Sequence, residues 1–211
     1  MQHSSLVHVI DDDDAVRDSL AFLLKSARID VRTYESATAF LSAVPQISGG
    51  CIVTDVRMPE ISGVDLLRRL RERKVAIPVI VITGHGDVQL AVEAMKIGAA
   101  DFIEKPFDDD VLLAAVKSAL DRSEKNVQNE AERSSLLEKV ASLSNREREV
   151  LDGLVAGKPN KIIAFDLGIS PRTVEIYRAN VMTKMNAGSL SDLVRMALLA
   201  GLAKAAPDEL P

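Results

Sequence analysis

Strand-like and helix-like patterns of apolar residues alternate along the first 122 residues of the chain. Each short apolar run is followed by a stretch in which apolar residues recur every three or four positions, the spacing of one helix face. The runs at 51–54 and 79–82 are almost wholly apolar, as is typical of central strands covered on both faces. This alternation predicts an α/β fold with five βα units in a doubly wound parallel sheet. The predicted strands are Leu6–Ile10, Asp30–Tyr34, Cys51–Asp55, Val79–Thr83 and Asp101–Glu104, and the predicted helices are Ala15–Ser26, Ser36–Val44, Gly63–Glu72, Asp87–Ile97 and Val111–Arg122.

The strand pattern ends after residue 122. Residues 123–141 are charged and helix-prone with sparse apolar positions, which predicts a helical linker that can continue the preceding helix. A short coiled contact between two chains is the alternative, but the apolar positions are too sparse to favour it. Residues 142–205 carry only helix signals and predict a small all-α domain, followed by a flexible tail at 206–211. Ser144 and Glu147 have the spacing of a capping box, and Ser170 before Pro171 is typical of a helix start. The predicted helices end at Ala156, Leu167, Met185 and about Leu199.

Composition favours a folded protein of the cytoplasm. The chain is 47% hydrophobic and 27% charged, ordinary values for a globular protein. No apolar stretch approaches the roughly 18 residues of a membrane span, and the N-terminus lacks the pattern of a secretory signal. The single cysteine, Cys51, excludes a disulfide or a cysteine-based zinc site within one chain, in agreement with a reducing compartment.

Charge is distributed unevenly. The net charge is −5, yet residues 141–205 contain nine bases and six acids, a local net charge of +3. A basic C-terminal part permits contact with nucleic acid. Chance variation in a solvated surface explains the same asymmetry equally well.

Polar residues follow the predicted strands at the points where they end. Asp11 and Asp12 follow the first strand, Asp55 and Thr83 end the third and fourth, and Lys105 follows the fifth. In a parallel sheet these positions converge on one crevice. Clustered carboxylates favour a hard cation such as Mg2+, and a carboxylate can attack a phosphoryl group to form an acyl phosphate. We therefore expect Asp55 to be the nucleophile, with Thr83 and Lys105 contacting the phosphoryl oxygens.

Simpler interpretations exist for the same acids. Asp13 and Asp14 are better explained as favourable negative charge at the start of the next helix. Asp55 alone could be an ordinary polar strand end. A phosphatase of the haloacid type also uses a strand-end aspartate and Mg2+, but it carries Asp-x-Asp with the nucleophile on the first strand. Here the best nucleophile is on the third predicted strand.

The motifs of this crevice resemble the receiver domain of two-component response regulators over about residues 5–123. They are Val-Ile-Asp-Asp at 9–12, Asp-Val-Arg-Met-Pro at 55–59 with Gly63, Thr83-Gly84, and Lys-Pro-Phe at 105–107. The resemblance implies that a histidine kinase phosphorylates Asp55, and that Thr83 and Phe102 form a paired switch. It also implies a cis bond before Pro106. The Mg2+ ligands that it implies are Asp11, Asp12, Asp55 and the backbone carbonyl of Arg57, with Asp12 favoured as a direct ligand.

Phosphorylation would add roughly two negative charges at Asp55. We expect Thr83 and Lys105 to be drawn in, which would shift the helix at 87–97 and the strand at 101–104. The outward residues Val88, Val92, Lys96 and Phe102 on this face are partly apolar. The resemblance and these residues together lead to the hypothesis of a two-fold dimer interface.

The helices at 160–185 predict a helix-turn-helix. In the second of them, Val174, Tyr177, Val181 and Met185 form a stripe expected to face the core. The opposite face suits a major groove, and residues towards its flanks suit phosphate contacts. A small helical bundle that docks proteins remains an alternative on geometry alone. The expected groove residues are Arg172, Glu175, Ile176, Ala179 and Thr183, and the expected flanking residues are Thr173, Arg178, Lys184 and Lys161.

Residues 140–203 resemble the LuxR-type DNA-binding domain. The resemblance rests on Leu-Ser-x-Arg-Glu at 143–147, Asn-Lys-x-Ile-Ala at 160–164, and Ile-Ser-x-x-Thr-Val at 169–174, although Tyr177 stands where many relatives carry His. Three further motifs resemble one group of such regulators more closely: Ile-Ser-Pro-Arg-Thr-Val-Glu at 169–175, Arg-Ala-Asn-Val-Met at 178–182 and Thr-Gly-His-Gly-Asp-Val at 83–88. That resemblance implies a transcriptional activator of nitrogen-fixation and low-oxygen genes, regulated by a haem-based sensor histidine kinase. Related regulators of other pathways share much of these motifs, so a different pathway is the alternative. The implied partners are this kinase, promoter DNA, RNA polymerase and a second copy of the chain after phosphorylation.

Overall fold

The computed structural model describes residues 6–47, 49–84 and 88–202. The chain divides into two compact units, residues 1–128 and 129–211. The predicted flexible tail at 206–211 lies outside the described residues. No helix in the described ranges is long and apolar enough to span a membrane.

The first unit contains one parallel sheet of five strands in the order β2-β1-β3-β4-β5. This is the expected doubly wound architecture, and all five predicted strands are confirmed. Strands β3 and β4 are buried along almost their whole length because helices cover both faces of the sheet. The strands are β1 (Leu6–Ile10), β2 (Asp30–Tyr34), β3 (Cys51–Asp55), β4 (Val79–Thr83) and β5 (Asp101–Glu104).

Helices alternate with these strands, and alternate strand residues point to two separate cores. Ile10 and Ile52 pack against α3 and α4 in one core, and Val7 and Val53 pack against α1 and α5 in the other. Helix α1 begins at Asp14 because the Asp13 side chain accepts from the Ala15 and Val16 amides. The predicted helix start at Asp87 lies outside the described residues. The helices are α1 (Asp14–Ser26), α2 (Ala37–Ala43), α3 (Gly63–Glu72), α4 (Val88–Ile97) and α5 (Asp109–Ala141).

Helix α5 is far longer than the expected Val111–Arg122. It continues through the whole predicted linker, and the division between the two units falls within it. Ser123, the first residue of that linker, is buried in the first unit, where its hydroxyl accepts from the Gly50 amide at 3.1 Å. Val140, near the other end of the linker, belongs to the core of the second unit.

The second unit adds four shorter helices around one small core. The predicted capping box at Ser144 and Glu147 is present, and Ser170 and Ser189 cap the helices that follow them. Gly168 ends its helix in the left-handed conformation, with φ of +65°, which favours glycine. The helices are α6 (Asn145–Val155), α7 (Asn160–Leu167), α8 (Pro171–Met185) and α9 (Leu190–Leu199).

Candidate functional site

The carboxyl ends of the strands bring the predicted crevice together. Asp55 ends β3, Thr83 ends β4, and Asp11 and Lys105 directly follow β1 and β5. The Lys105 ammonium lies 2.8 Å from Asp55 Oδ1 and 3.4 Å from Asp11 Oδ2. One charged cluster thus contains Lys105 and two acids that lie 50 and 94 positions before it in the sequence.

Asp55 is held in place from both sides of its carboxylate. Oδ1 accepts from Lys105, and Oδ2 accepts from the backbone amide of Arg57 at 2.6 Å. Gly63 allows α3 to begin close to the backbone of Asp55, because a Cβ there would lie 2.2 Å from the Asp55 carbonyl oxygen. The Asp55 side chain is 12% exposed, which leaves it accessible to a reactant from solvent.

Asp11 is buried and fixed by four contacts. Its amide donates to the Tyr34 carbonyl, and its carbonyl accepts from Arg17 Nη1 at 2.6 Å. Its carboxylate accepts from the Asp13 amide at 2.9 Å and from Lys105. Burial raises the pKa of Asp11, and the Asp13 amide and the Lys105 charge oppose that rise.

Lys105 balances the charge of the crevice. Burial alone would lower the pKa of Lys105, but the hydrogen bond and charge of Asp55, together with Asp11, raise it overall. Lys105 therefore stays cationic at neutral pH. The Lys105–Pro106 bond is cis, as the resemblance implied.

The two predicted switch residues lie on neighbouring strands. Thr83 is 1% exposed, and its carbonyl accepts from the Lys105 amide at 2.7 Å. Phe102 is partly buried against the core that contains α3 and α4. On α4, Val88 and Val92 are 73% and 46% exposed and Lys96 is also exposed, so the predicted interface residues are accessible in this unit.

The predicted metal ligands are not gathered into a metal site here. Asp12 is exposed, while Asp11 and Asp55 share the Lys105 ammonium. Across the ranges that the structure describes, no three acidic, histidine or cysteine side chains are placed to hold a metal ion together. The donor chemistry still fits a hard cation, because the oxygens of Asp11 and Asp55 already converge on one positive charge.

In the second unit, α8 presents the two predicted faces. Val174, Val181 and Met185 are fully buried, and Tyr177 is partly buried against the same core. On the opposite face Arg172, Glu175, Ile176, Ala179 and Thr183 are all exposed. Among the flanking residues, Lys161 is exposed, while Thr173 and Arg178 are partly buried.

Lys184 has a partner that the sequence analysis missed. Its ammonium lies 2.6 Å from Oε2 of Glu147, a carboxylate with only 5% of its side chain exposed. The hydrogen bond from Lys184, assisted by the Ser144 amide, lowers the pKa of Glu147 to about 2. This pair joins α6 to the end of α8, so Lys184 fixes the candidate DNA-binding helix rather than simply projecting towards a phosphate. A glutamate inside a capping box gives no sequence signal of this distant partner.

His8 was also missed. It is fully buried in β1, its Nδ1 lies 3.2 Å from the Tyr34 hydroxyl, and its ring packs against Phe40. Burial, with a contribution from the Arg32 charge, lowers the pKa of His8 to about 4. Its Nε2 is a buried polar side-chain atom without a hydrogen-bond partner among the described residues. One histidine within an apolar strand gave no indication of these contacts.

Comparison with known families agrees with this geometry. Residues 7–117 match the response regulator receiver domain. The chain belongs to the response regulator family. Residues 141–197 of this response regulator match the luxR family of bacterial regulatory proteins, which covers the helices that carry the candidate DNA-binding face.

Similar proteins match along almost the whole length. The chain is 62% identical to the transcriptional regulatory protein FixJ of Azorhizobium caulinodans, over 97% of both chains. It is 55% identical to FixJ of Bradyrhizobium diazoefficiens, over 93% of this chain and 96% of that protein.

Two solved structures cover both units. Full-length FixJ from B. japonicum is 54% identical with a TM-score of 0.58, over 95% of this chain and 98% of that one. The response regulator StyR is 39% identical with a TM-score of 0.80, over 92% of this chain and 98% of that one. This chain is thus a response regulator of the FixJ type, with a receiver domain and a LuxR-type DNA-binding domain.

Proposed function

We propose that this response regulator is a transcriptional activator switched by phosphorylation of Asp55. The observation that carries the proposal is the placement of the Asp55 carboxylate between a fixed ammonium and a backbone amide in an accessible crevice. We assign residues 1–122 to the receiver, 123–141 to a helical linker and 142–205 to the DNA-binding domain.

In the phosphorylation step, one Asp55 oxygen attacks the phosphorus of a phosphohistidine on a sensor kinase. A phosphorus–oxygen bond forms, the phosphorus–nitrogen bond breaks, and the imidazole leaves with the bonding electron pair. Lys105 and the Thr83 hydroxyl then contact the phosphoryl oxygens and stabilise their charge. After the transfer, Asp55 keeps the phosphoryl group, whereas an enzyme would release a product and regenerate its nucleophile. We therefore assign no catalysis beyond transfer to Asp55 and its later hydrolysis.

Mg2+ fits the oxygen donors of this crevice. Asp11, Asp12, Asp55 and the Arg57 carbonyl are the residues that would hold it, with water completing the coordination. When bound, the cation would neutralise phosphoryl charge during transfer. The buried position of Asp11 and its four contacts pre-position one of these ligands.

The switch links Asp55 to the surface of α4. Drawing the Thr83 hydroxyl towards a phosphoryl group would vacate space near the neighbouring strand, and Phe102 would rotate into it. Helix α4 is weakly anchored, because Ala94 is its one buried residue among those described. We propose that the shifted face, with Val88, Val92 and Lys96, binds a second copy of the chain.

The output of the switch is DNA binding through α8. We propose that Arg172, Glu175, Ile176 and Ala179 contact base edges and that Lys161, Thr173 and Arg178 contact the flanking phosphates, whereas Lys184, expected to do the same, is held by Glu147. A dimer would present two such helices to an inverted repeat, and the bound dimer would contact RNA polymerase. The similarity to FixJ supports a role in the cytoplasm, in nitrogen-fixation and low-oxygen gene control. A FixJ-like regulator of another pathway is the alternative, since TodT of Pseudomonas putida is also 43% identical.

Treatment of the full chain with acetyl phosphate and Mg2+ tests the phosphorylation step. We expect intact-mass spectrometry to show one added phosphoryl group and light scattering to show a shift from monomer to dimer. Asp55→Asn should prevent both, and Asp18→Asn, at an exposed acid on α1, should prevent neither. Phosphorylation that persists in Asp55→Asn would contradict the assignment, and a phosphorylated monomer would contradict the interface.

A further inference from the structure

A second cavity of the receiver lies at the amino ends of β4 and β5, whereas Asp55 lies at the carboxyl end of β3. Its volume is about 380 Å³, and its lining residues lie in the last turn of α3, in the segments before β4 and β5, or on α5. Three of these residues are cations, Arg71, Lys74 and Arg122, and none is an acid. The cavity shares no residue with the crevice around Asp55, so it is a separate feature of the same unit.

Arg71 supplies a fixed positive charge in this cavity. Its Nη1 donates to the carbonyls of Val75 and Ile77, at 2.6 and 3.3 Å, and its Nη2 donates to the Gly98 carbonyl at 3.0 Å. A guanidinium has five N–H donors. The Nε donor and one Nη2 donor therefore have no partner among the residues that the structure describes.

Gly98 leaves this edge of the guanidinium uncovered. A Cβ at Gly98 would lie 3.5 Å from Arg71 Nε, and the φ of +99° at this position favours glycine. Burial of the guanidinium lowers the pKa of Arg71. The result is an anchored cation with spare donors beside an open space.

Lys74 and Arg122 add two exposed cations. Within the described ranges, the ion pairs involve neither of them nor Arg71. Asn126, one helical turn beyond Arg122, adds a neutral donor, and Val75 and Pro78 add apolar surface. Three uncompensated cations around one cavity favour an anion, because charge-assisted hydrogen bonds to phosphoryl oxygens are among the stronger polar contacts.

We propose that this cavity binds a small phosphorylated molecule with an apolar ring, of the nucleoside monophosphate class. Arg71, Lys74 and Arg122 hold the phosphoryl oxygens, and Val75 and Pro78 contact the ring. The cavity volume lies within the range of about 300 to 1,000 Å³ that is usual for small-molecule sites.

Isothermal titration calorimetry of the full chain with adenosine monophosphate tests this site. The buffer contains a chelator, so that phosphate does not bind through a metal ion at Asp55. We expect saturable binding by the wild type and at least a tenfold loss of affinity in Lys74→Gln/Arg122→Gln. Arg69→Gln/Lys117→Gln is the matched control, since it removes the same charge from exposed positions outside the cavity and should bind as the wild type does.

Two further ligands separate the parts of the proposal. Adenosine and inorganic phosphate should both bind more weakly than the monophosphate. Adenosine binding as tightly would overturn the role of the cations, and phosphate binding as tightly would overturn the role of the ring. Absence of saturable binding by the wild type, or equal binding by Lys74→Gln/Arg122→Gln, would overturn the site as a whole. Circular dichroism of both double variants checks that they are folded.

Discussion

At the scale of single residues, Lys105 balances the negative charge of the crevice around Asp55. Its ammonium separates the carboxylates of Asp55 and Asp11. Without it, the two acids would face each other with no counterion, and the transferred phosphoryl group would lose a cationic contact. We expect Lys105→Met to slow phosphorylation by acetyl phosphate about a hundredfold.

Intact-mass spectrometry over time measures that rate. Lys117→Met, at an exposed lysine of α5, is the control and should react at the wild-type rate. A wild-type rate in Lys105→Met would show that the ammonium has no part in the transfer.

His8 makes the receiver sensitive to acid. Its pKa is about 4 in the fold and about 6.5 in an unfolded chain, so the unfolded state binds more protons between these values. The contribution of His8 to the free energy of unfolding is therefore fully present above about pH 6.5 and falls by about 2–3 kcal/mol as the pH drops to 4. We expect His8→Gln to remove this part of the pH dependence, whatever its effect at neutral pH.

Hydrogen exchange of the sheet amides measures the free energy of unfolding of the receiver separately from that of the second unit. Ile103→Val is a suitable control, since it removes a methyl group from the other core of the sheet, away from His8, and no titrating group. This control should lower the protection of the sheet amides at every pH and keep the wild-type dependence of protection on pH. An unchanged slope in His8→Gln would mean that another group carries the dependence.

At the scale of elements, Gly153 sets how closely α6 and α7 pack. A Cβ at this position would lie 2.8 Å from Ile163 Cγ1 and 3.0 Å from its Cδ1. Ile163 is 1% exposed, and Cγ1, the nearer of the two atoms, cannot be moved away without changing the χ1 rotamer of the side chain. We expect Gly153→Ala to destabilise the second unit by about 1–3 kcal/mol through overpacking.

Thermal unfolding of the variants measures this effect. Adding Ile163→Val to Gly153→Ala should restore part of the loss, because it removes the Cδ1 atom. Gly188→Ala is the control, since a Cβ there meets open space at an ordinary backbone conformation. A neutral Gly153→Ala would show that the two helices can separate at no cost.

The elements also show where sequence patterns are informative. All five strands were predicted. Strands β1, β3 and β4 are buried apolar runs that end at polar residues, whereas β2 and β5 are more exposed and followed from the alternation of strands with helices. The helical linker was predicted as well, and it forms the continuation of α5, which runs over Asp109–Ala141. Its sparse apolar positions did not show whether it would join the preceding helix or stand apart from it. The crevice was predicted because strand order brings strand ends together. The Lys184–Glu147 pair and the contacts of the buried His8 were not predicted, since contacts between distant side chains have no local sequence pattern.

At the scale of the whole molecule, the uneven distribution of charge bears on how tightly one copy of the chain can bind DNA. The chain carries −5 overall, but the DNA-binding part carries +3, too little for tight binding by one copy. Joining two copies places a second recognition helix at high effective concentration on the neighbouring half-site. In the proposed switch, phosphorylation of Asp55 would raise DNA affinity through dimerisation.

Promoter-DNA binding with and without acetyl phosphate and Mg2+ is the most direct test of this account. In an electrophoretic shift assay, phosphorylation should raise the affinity of the wild type at least tenfold for a promoter with an inverted repeat. Asp55→Asn should keep the low affinity under both conditions, and Asp18→Asn should respond as the wild type does. Equal affinity of the wild type with and without phosphorylation, or a full response in Asp55→Asn, would contradict the proposed switch.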